Sequence, residues 1–110
     1  ENARVENGNL IIEAKKENWE GKNYTSARLV TKGKQDWKYG RIEVKAKLPK
    51  GKGTWSAIWM LSTDMKEWPE DGELDIMEHV GYNQGFIHAS VHTKKYNHIL
   101  LVHKKQILLS

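Results

Sequence analysis

The chain has 110 residues, with 18 Lys+Arg against 14 Asp+Glu and a formal net charge of +4. That length allows one domain and little more, and a content of 38% hydrophobic and 29% charged residues fits a soluble folded domain rather than a disordered chain. Cysteine is absent, which excludes disulfides, thiolate chemistry and Cys-based zinc sites, and no apolar run approaches the length of a membrane span.

Taken in order, the chain reads as strands and turns. Asn9 to Glu13 is a short apolar run after the turn signal Asn7-Gly8. Tyr24 to Thr31 is rich in β-formers. Arg41 to Leu48 alternates, with Ile42, Val44, Ala46 and Leu48 on one face and Arg41, Glu43, Lys45 and Lys47 on the other, which predicts a half-buried strand. Pro49 to Gly53 breaks it. Trp55 to Leu61 carries large side chains on both faces, as in a strand covered on both sides. Ser62 to Asp71 is a polar loop holding Trp68 and Pro69. Gly72 to His79 is a further strand, and Gly81 to Gly85 is a turn. Phe86 to Thr93 alternates again, with Phe86, His88, Ser90 and His92 on one side. Short strands, frequent glycine turns and no strong helical period predict an all-β antiparallel sandwich or barrel.

The strand Glu73-Leu74-Asp75-Ile76-Met77-Glu78 has three acids in six residues. Alternation sends Glu73 and Asp75 to one face and Leu74 and Ile76 to the other. Glu78 would fall on the wrong face unless a β-bulge near Ile76-Met77 inserts one residue. With that bulge, three carboxyls line one groove. Such a set suits glycosidic bond cleavage, where a retaining enzyme needs two carboxyls roughly 5–5.5 Å apart. Repulsion and burial are expected to keep one Glu protonated near neutral pH while the other is ionised.

The competing readings are a solvent-facing acidic strand and a divalent-cation site, although the EF-hand pattern is missing. A zinc site from His79, His88, His92, His98 and His103 lacks metal-ligand spacing, so no metal is assigned. Five Trp against one Phe point to aromatic ligand surfaces or to simple core use. The lysines are scattered along the chain, as on a solvated face, so neither nucleic acid nor membrane is expected as a partner.

These residues resemble glycoside hydrolase family 16, and within it the bacterial laminarinases, which are endo-acting β-1,3-glucanases. The resemblance runs from about Asn7 to His98. It includes Tyr24-Thr25-Ser26-Ala27-Arg28-Leu29, Tyr39-Gly40-Arg41-Ile42-Glu43, Lys47-Leu48-Pro49 and Gly53-Thr54-Trp55-Ser56-Ala57-Ile58-Trp59-Met60-Leu61. Trp68-Pro69-Glu70-Asp71-Gly72 leads into the acidic strand, and His88-Ala89-Ser90-Val91-His92-Thr93 follows it. The extra residue Met77 resembles the laminarinase branch, since lichenase-type relatives have the shorter spacing.

The resemblance implies that Glu73 is the nucleophile and Glu78 the acid/base, with Asp75 tuning charge between them. It implies that Trp55, Trp59, Trp68, Arg41 and His92 bind substrate, with His92 near the acid/base. It further implies a jelly-roll, concanavalin-like sandwich, a β-glucan substrate and an extracellular, cell-surface or periplasmic location. No cofactor is required, and a structural calcium ion is compatible.

Sandwich domains of this kind often run about 200–250 residues. Residues 1–110 are therefore expected to form the N-terminal portion of such a catalytic domain. The chain opens at Glu1 with no initiator Met and no signal peptide. Residues 99–110 depart from the polar continuation of the family, which suits a shifted reading frame near His98 to Leu100. Exposed inner faces and sheet edges are expected to favour self-association. Two functions stay open: a retaining endo-β-1,3-glucanase, with the activity of this truncated chain left open, and a non-catalytic glycan-binding or vestigial fragment.

Overall fold

The computed structural model describes residues 1–96 and the backbone of residues 104–108. Its regular elements are eight strands, all paired antiparallel: β1 (Ala3–Glu6), β2 (Asn9–Ile12), β3 (Lys15–Trp19), β4 (Lys22–Thr25), β5 (Trp55–Leu61), β6 (Glu73–Val80), β7 (Phe86–His92) and β8 (Lys104–Leu108). The all-β, antiparallel expectation holds. Two compact units divide the chain, residues 1–37 and 38–110.

The first unit is two hairpins. Asn7 and Gly8 both take positive φ, 51° and 74°, which turns β1 tightly into β2. Glu20 and Gly21, at 48° and 75°, do the same between β3 and β4. The side chain of Asn2 ties the hairpins together, donating to the Glu13 carbonyl at 3.1 Å and to Thr25 Oγ1 at 2.9 Å.

The second unit is a four-stranded sheet in the order β5-β6-β7-β8. Its most enclosed positions lie on β6 and β7. Among the described residues, Met77 and Val80 are the buried apolar ones, and Asp75, His79, Ser90 and His92 are buried polar ones. Burial of acids and histidines in a sheet centre is expensive unless they bond to each other, which marks this place as more than packing.

Gly81 fixes the end of β6. A Cβ there would stand 1.7 Å from the Gly51 carbonyl oxygen, while the Gly81 N–H donates to the Thr54 carbonyl at 2.8 Å. The turn before β5 thus packs directly on the backbone leaving β6.

The expected strand from Arg41 to Leu48 does not form. Residues 41–50 have no regular structure, and Ile42 and Val44 are 46% and 55% exposed. Their alternation is real, but a strand also needs a neighbour for its N–H and C=O groups, and none of the described strands pairs with it. Likewise, the β-forming run from Tyr24 to Thr31 is strand only as far as Thr25. The expected tail segment Ile99 to Val102 lies outside the described residues. The Lys104–Leu108 backbone pairs with β7, Phe86 opposite Leu108.

Candidate active site

The bulge on β6 creates the site. Across β5, Ile58 pairs with Met77 and Trp59 with Asp75, so Ile76 is skipped. Across β7, Asp75 pairs with Ser90 and Glu78 with His88, three residues against two. The extra residue brings Glu78 onto the face of Glu73 and Asp75. Paired residues share a face, so the same surface carries Leu61, Trp59, Ala57 and Trp55 from β5 and His92, Ser90 and His88 from β7. Leu74 and Met77 belong to the other face, opposite Met60 and Ile58.

Each outer carboxyl receives an indole N–H. Trp68 Nε1 donates to Glu73 Oε2, and Trp55 Nε1 donates to Glu78 Oε1 at 3.0 Å. Ser90 Oγ lies 3.5 Å from Glu78 Oε2. Trp68 rides on a loop closed by Asp71, whose Oδ2 accepts the backbone N–H groups of Lys66 at 2.6 Å and Glu67 at 2.9 Å. Those bonds hold the Asp71 carboxyl below its ordinary range.

Asp75 is the most enclosed of the three acids, 4% exposed. His92 Nε2 stands 3.0 Å from Asp75 Oδ2, and a Glu73 carboxyl oxygen lies within 4.8 Å of both residues. Burial, then Glu73 and Glu78, push Asp75 up to about 6, with His92 opposing. The carboxyl held above its ordinary range is the middle one, Asp75. Desolvation decides this, since Asp75 sits at the sheet centre.

Two further expectations are corrected. His92 is not beside Glu78. It bonds Asp75, pairs with Glu73 across the strands, and stacks obliquely on Trp68 at 5.9 Å between ring centroids. The β7 neighbours of Glu78 are His88 and Ser90, because β7 runs antiparallel. Arg41 is not brought to the acids: it pairs with Glu43 at 2.6 Å and its side chain is 84% exposed. Trp59 does join the acidic face, opposite Asp75. The N–H donation by Trp55 and Trp68 was not legible in the sequence, which marks the rings and not their edges.

Donor atoms of Glu73, Asp75 and His92 lie within 4.8 Å of one another. Calcium prefers six to eight oxygen ligands, so this group with its imidazole does not fit calcium. Within it, His92 and Asp75 are joined by a hydrogen bond.

The chain matches the family Glycosyl hydrolases family 16 over residues 1–109 and belongs to it. It is 60% identical over 104 residues to a beta-glucanase of Rhodothermus marinus, covering 91% of this chain and 36% of that enzyme. Among solved structures, the laminarinase of Rhodothermus marinus superposes with a TM-score of 0.90 at 52% identity, over 98% of this chain and 45% of that one. SCLam, a non-specific endo-beta-1,3(4)-glucanase of family GH16, superposes at 0.91 with 45% identity, over 99% of this chain and 43% of its own. Its E144S mutant holds a 1,3-beta-D-cellobiosyl-glucose at the active site. The sheets described above are thus part of a jelly-roll β-sandwich, and the chain spans between about a third and just under half the length of these relatives.

Proposed function

We propose that this chain carries the catalytic strand of a retaining endo-β-1,3-glucanase acting on laminarin-like β-glucans. The observation that carries the reading is the bulged register that sets Glu73, Asp75 and Glu78 on one face, bordered by Trp55, Trp59 and Trp68. Membership of the family supports the substrate class.

In this reading Glu73 attacks the anomeric carbon while Glu78 protonates the departing glycosidic oxygen. A covalent glycosyl-enzyme forms, and the shortened glucan leaves with a new non-reducing end. Glu78, now ionised, takes a proton from water, which displaces Glu73 and restores the starting configuration. Carboxyl groups and water complete the reaction. Trp59 and the exposed ring of Trp55 offer flat apolar faces to sugar C–H groups. A polymeric substrate is too large to cross a membrane intact, which supports action outside the cytoplasm.

The test is reducing-sugar release from laminarin, with product anomers followed by NMR and glucan binding measured in parallel. New reducing ends with retained configuration are expected. Binding without release would favour a glycan-binding role, and inverted products would overturn the double displacement.

A further inference from the structure

We propose that Trp68 is a positioning residue whose indole N–H fixes the negative charge of the Glu73–Asp75 pair on Glu73. The inference rests on Glu73 being the nucleophile.

The carboxyls of Glu73 and Asp75 stand on one face, with oxygens within 4.8 Å of each other. Two acids at that distance hold one proton between them, since both cannot ionise cheaply. The proton could reside on either, and only one choice leaves a nucleophile. An indole N–H donates and never accepts. Trp68 Nε1 donates to Glu73 Oε2, and a donated bond favours the charged form of the acceptor. The partner able to keep the proton is then Asp75, which is also the more enclosed of the two.

The surroundings agree. Among the described residues, the titratable groups on this face besides the pair are Glu78 on the same strand and His92 and His88 on β7. From β5 come Leu61 and Trp59, which do not titrate. His92 meets Asp75, while Glu73 receives the donor of Trp68. Asp71 is engaged with the backbone of Lys66 and Glu67, which steadies the loop that brings the indole in.

Trp68→Phe separates this role from sugar stacking, because Phe keeps a flat ring and loses the N–H. The chain labelled with ¹³C at Asp and Glu carboxyls is titrated by NMR. In the wild type, Asp75 should take up its proton at higher pH than Glu73. In Trp68→Phe the Glu73 midpoint should rise by about one pH unit, a tenfold change in its protonated-to-ionised ratio. On laminarin the variant should lose kcat about tenfold on the acid side and recover at higher pH, with KM little changed. A raised KM with an unmoved pH profile would mean that Trp68 only stacks.

If Trp68→Phe does not fold, the wild-type indole ¹H–¹⁵N resonance of Trp68 decides. It should hold steady through the Asp75 step and move only when Glu73 is protonated. Movement in step with Asp75, or Glu73 titrating above Asp75, would overturn the assignment. A wild type that titrates as expected but neither binds nor cleaves laminarin would sink the glucanase reading and leave the charge assignment standing.

Discussion

Asp75 and His92 form a buried hydrogen-bonded pair, 3.0 Å apart with 4% and 8% of each residue exposed. They come from neighbouring strands and sit one register step apart, since His92 pairs with Glu73 and Ser90 with Asp75. The contact holds the middle acid of the triad from the side away from Glu78, and it opposes the upward push of burial on Asp75.

Replacing Asp75 by Asn should change how stability depends on pH. Asp75 lies near 3.8 when unfolded and is raised to about 6 in the folded chain. Its protonated form therefore favours folding. That contribution is full below about 3.8 and is lost as pH rises through about 6. Asn has no charge to bury, so the difference in Tm, variant minus wild type, should rise between pH 4 and pH 7. Thermal unfolding by circular dichroism at several pH values checks this, and a flat or falling difference would contradict it.

The two outer acids should separate by leaving group. Glu73→Gln removes the attacking carboxylate, so turnover should vanish for every substrate. Glu78→Gln should cost about 10²–10⁴ on natural glucans, the usual worth of a general acid. Aryl glucosides with good leaving groups should be cleaved with a much smaller loss, since their departure needs no proton. External azide should rescue Glu73→Ala with inverted product configuration. Equal and full activity in both Gln variants would remove the role assignment.

Much of this site was legible in the chain itself. The spacing Glu73, Asp75, Glu78 demands one extra residue, and the register skips Ile76 where the bulge was expected. Strand β5 spans the expected residues, because alternation of large side chains fixes both its period and its ends. The hairpins of residues 1–37 were only half read. Asn7-Gly8 marks a turn, but β1 and β3 are short and polar, with Lys15-Lys16-Glu17-Asn18 lacking an apolar face. Arg41 to Leu48 failed in the other direction, since periodicity describes a face and does not supply a pairing partner. Contacts such as His92 with Asp75 depend on the direction of β7, which no local pattern encodes.

Gly81→Ala should be severely destabilising, for reasons of space. The new methyl would meet the Gly51 carbonyl oxygen at 1.7 Å and Thr54 Oγ1 at 2.4 Å. Neither can yield easily: Thr54 Oγ1 is bonded to that carbonyl at 2.8 Å, and the Thr54 carbonyl receives the Gly81 N–H. A cost of about 3 kcal/mol or more is expected from forced overpacking. Gly85→Ala is the control, with open space around its Cβ position but a φ of +86° that costs about 1 kcal/mol. Urea unfolding of both variants compares them, and a Gly81→Ala midpoint above that of Gly85→Ala would show that the Gly51–Thr54 turn yields without cost.

The last prediction concerns the sheet face away from the acids. Leu74 and Val91 are register partners there, and they remain 45% and 51% exposed. Met60 pairs with Leu74 from the other side, so the exposed pair continues into a wider apolar surface. Fully burying a side chain of this size contributes about 1.5–3 kcal/mol, so roughly half of that is still available at each position. In a solution containing only this chain, the partner that can cover the surface is a second copy. The 110-residue chain should therefore associate reversibly as its concentration rises through the micromolar range. Leu74→Thr with Val91→Thr keeps strand propensity, removes most of the apolar area, and should shift association to higher concentration by about tenfold or more. Sedimentation velocity across a dilution series measures both chains. Association that is equal in the wild type and the double variant would locate the contact elsewhere, with the open edge of β5 as the next candidate. A wild type that stays monomeric throughout would show that this face is stable in water as it stands.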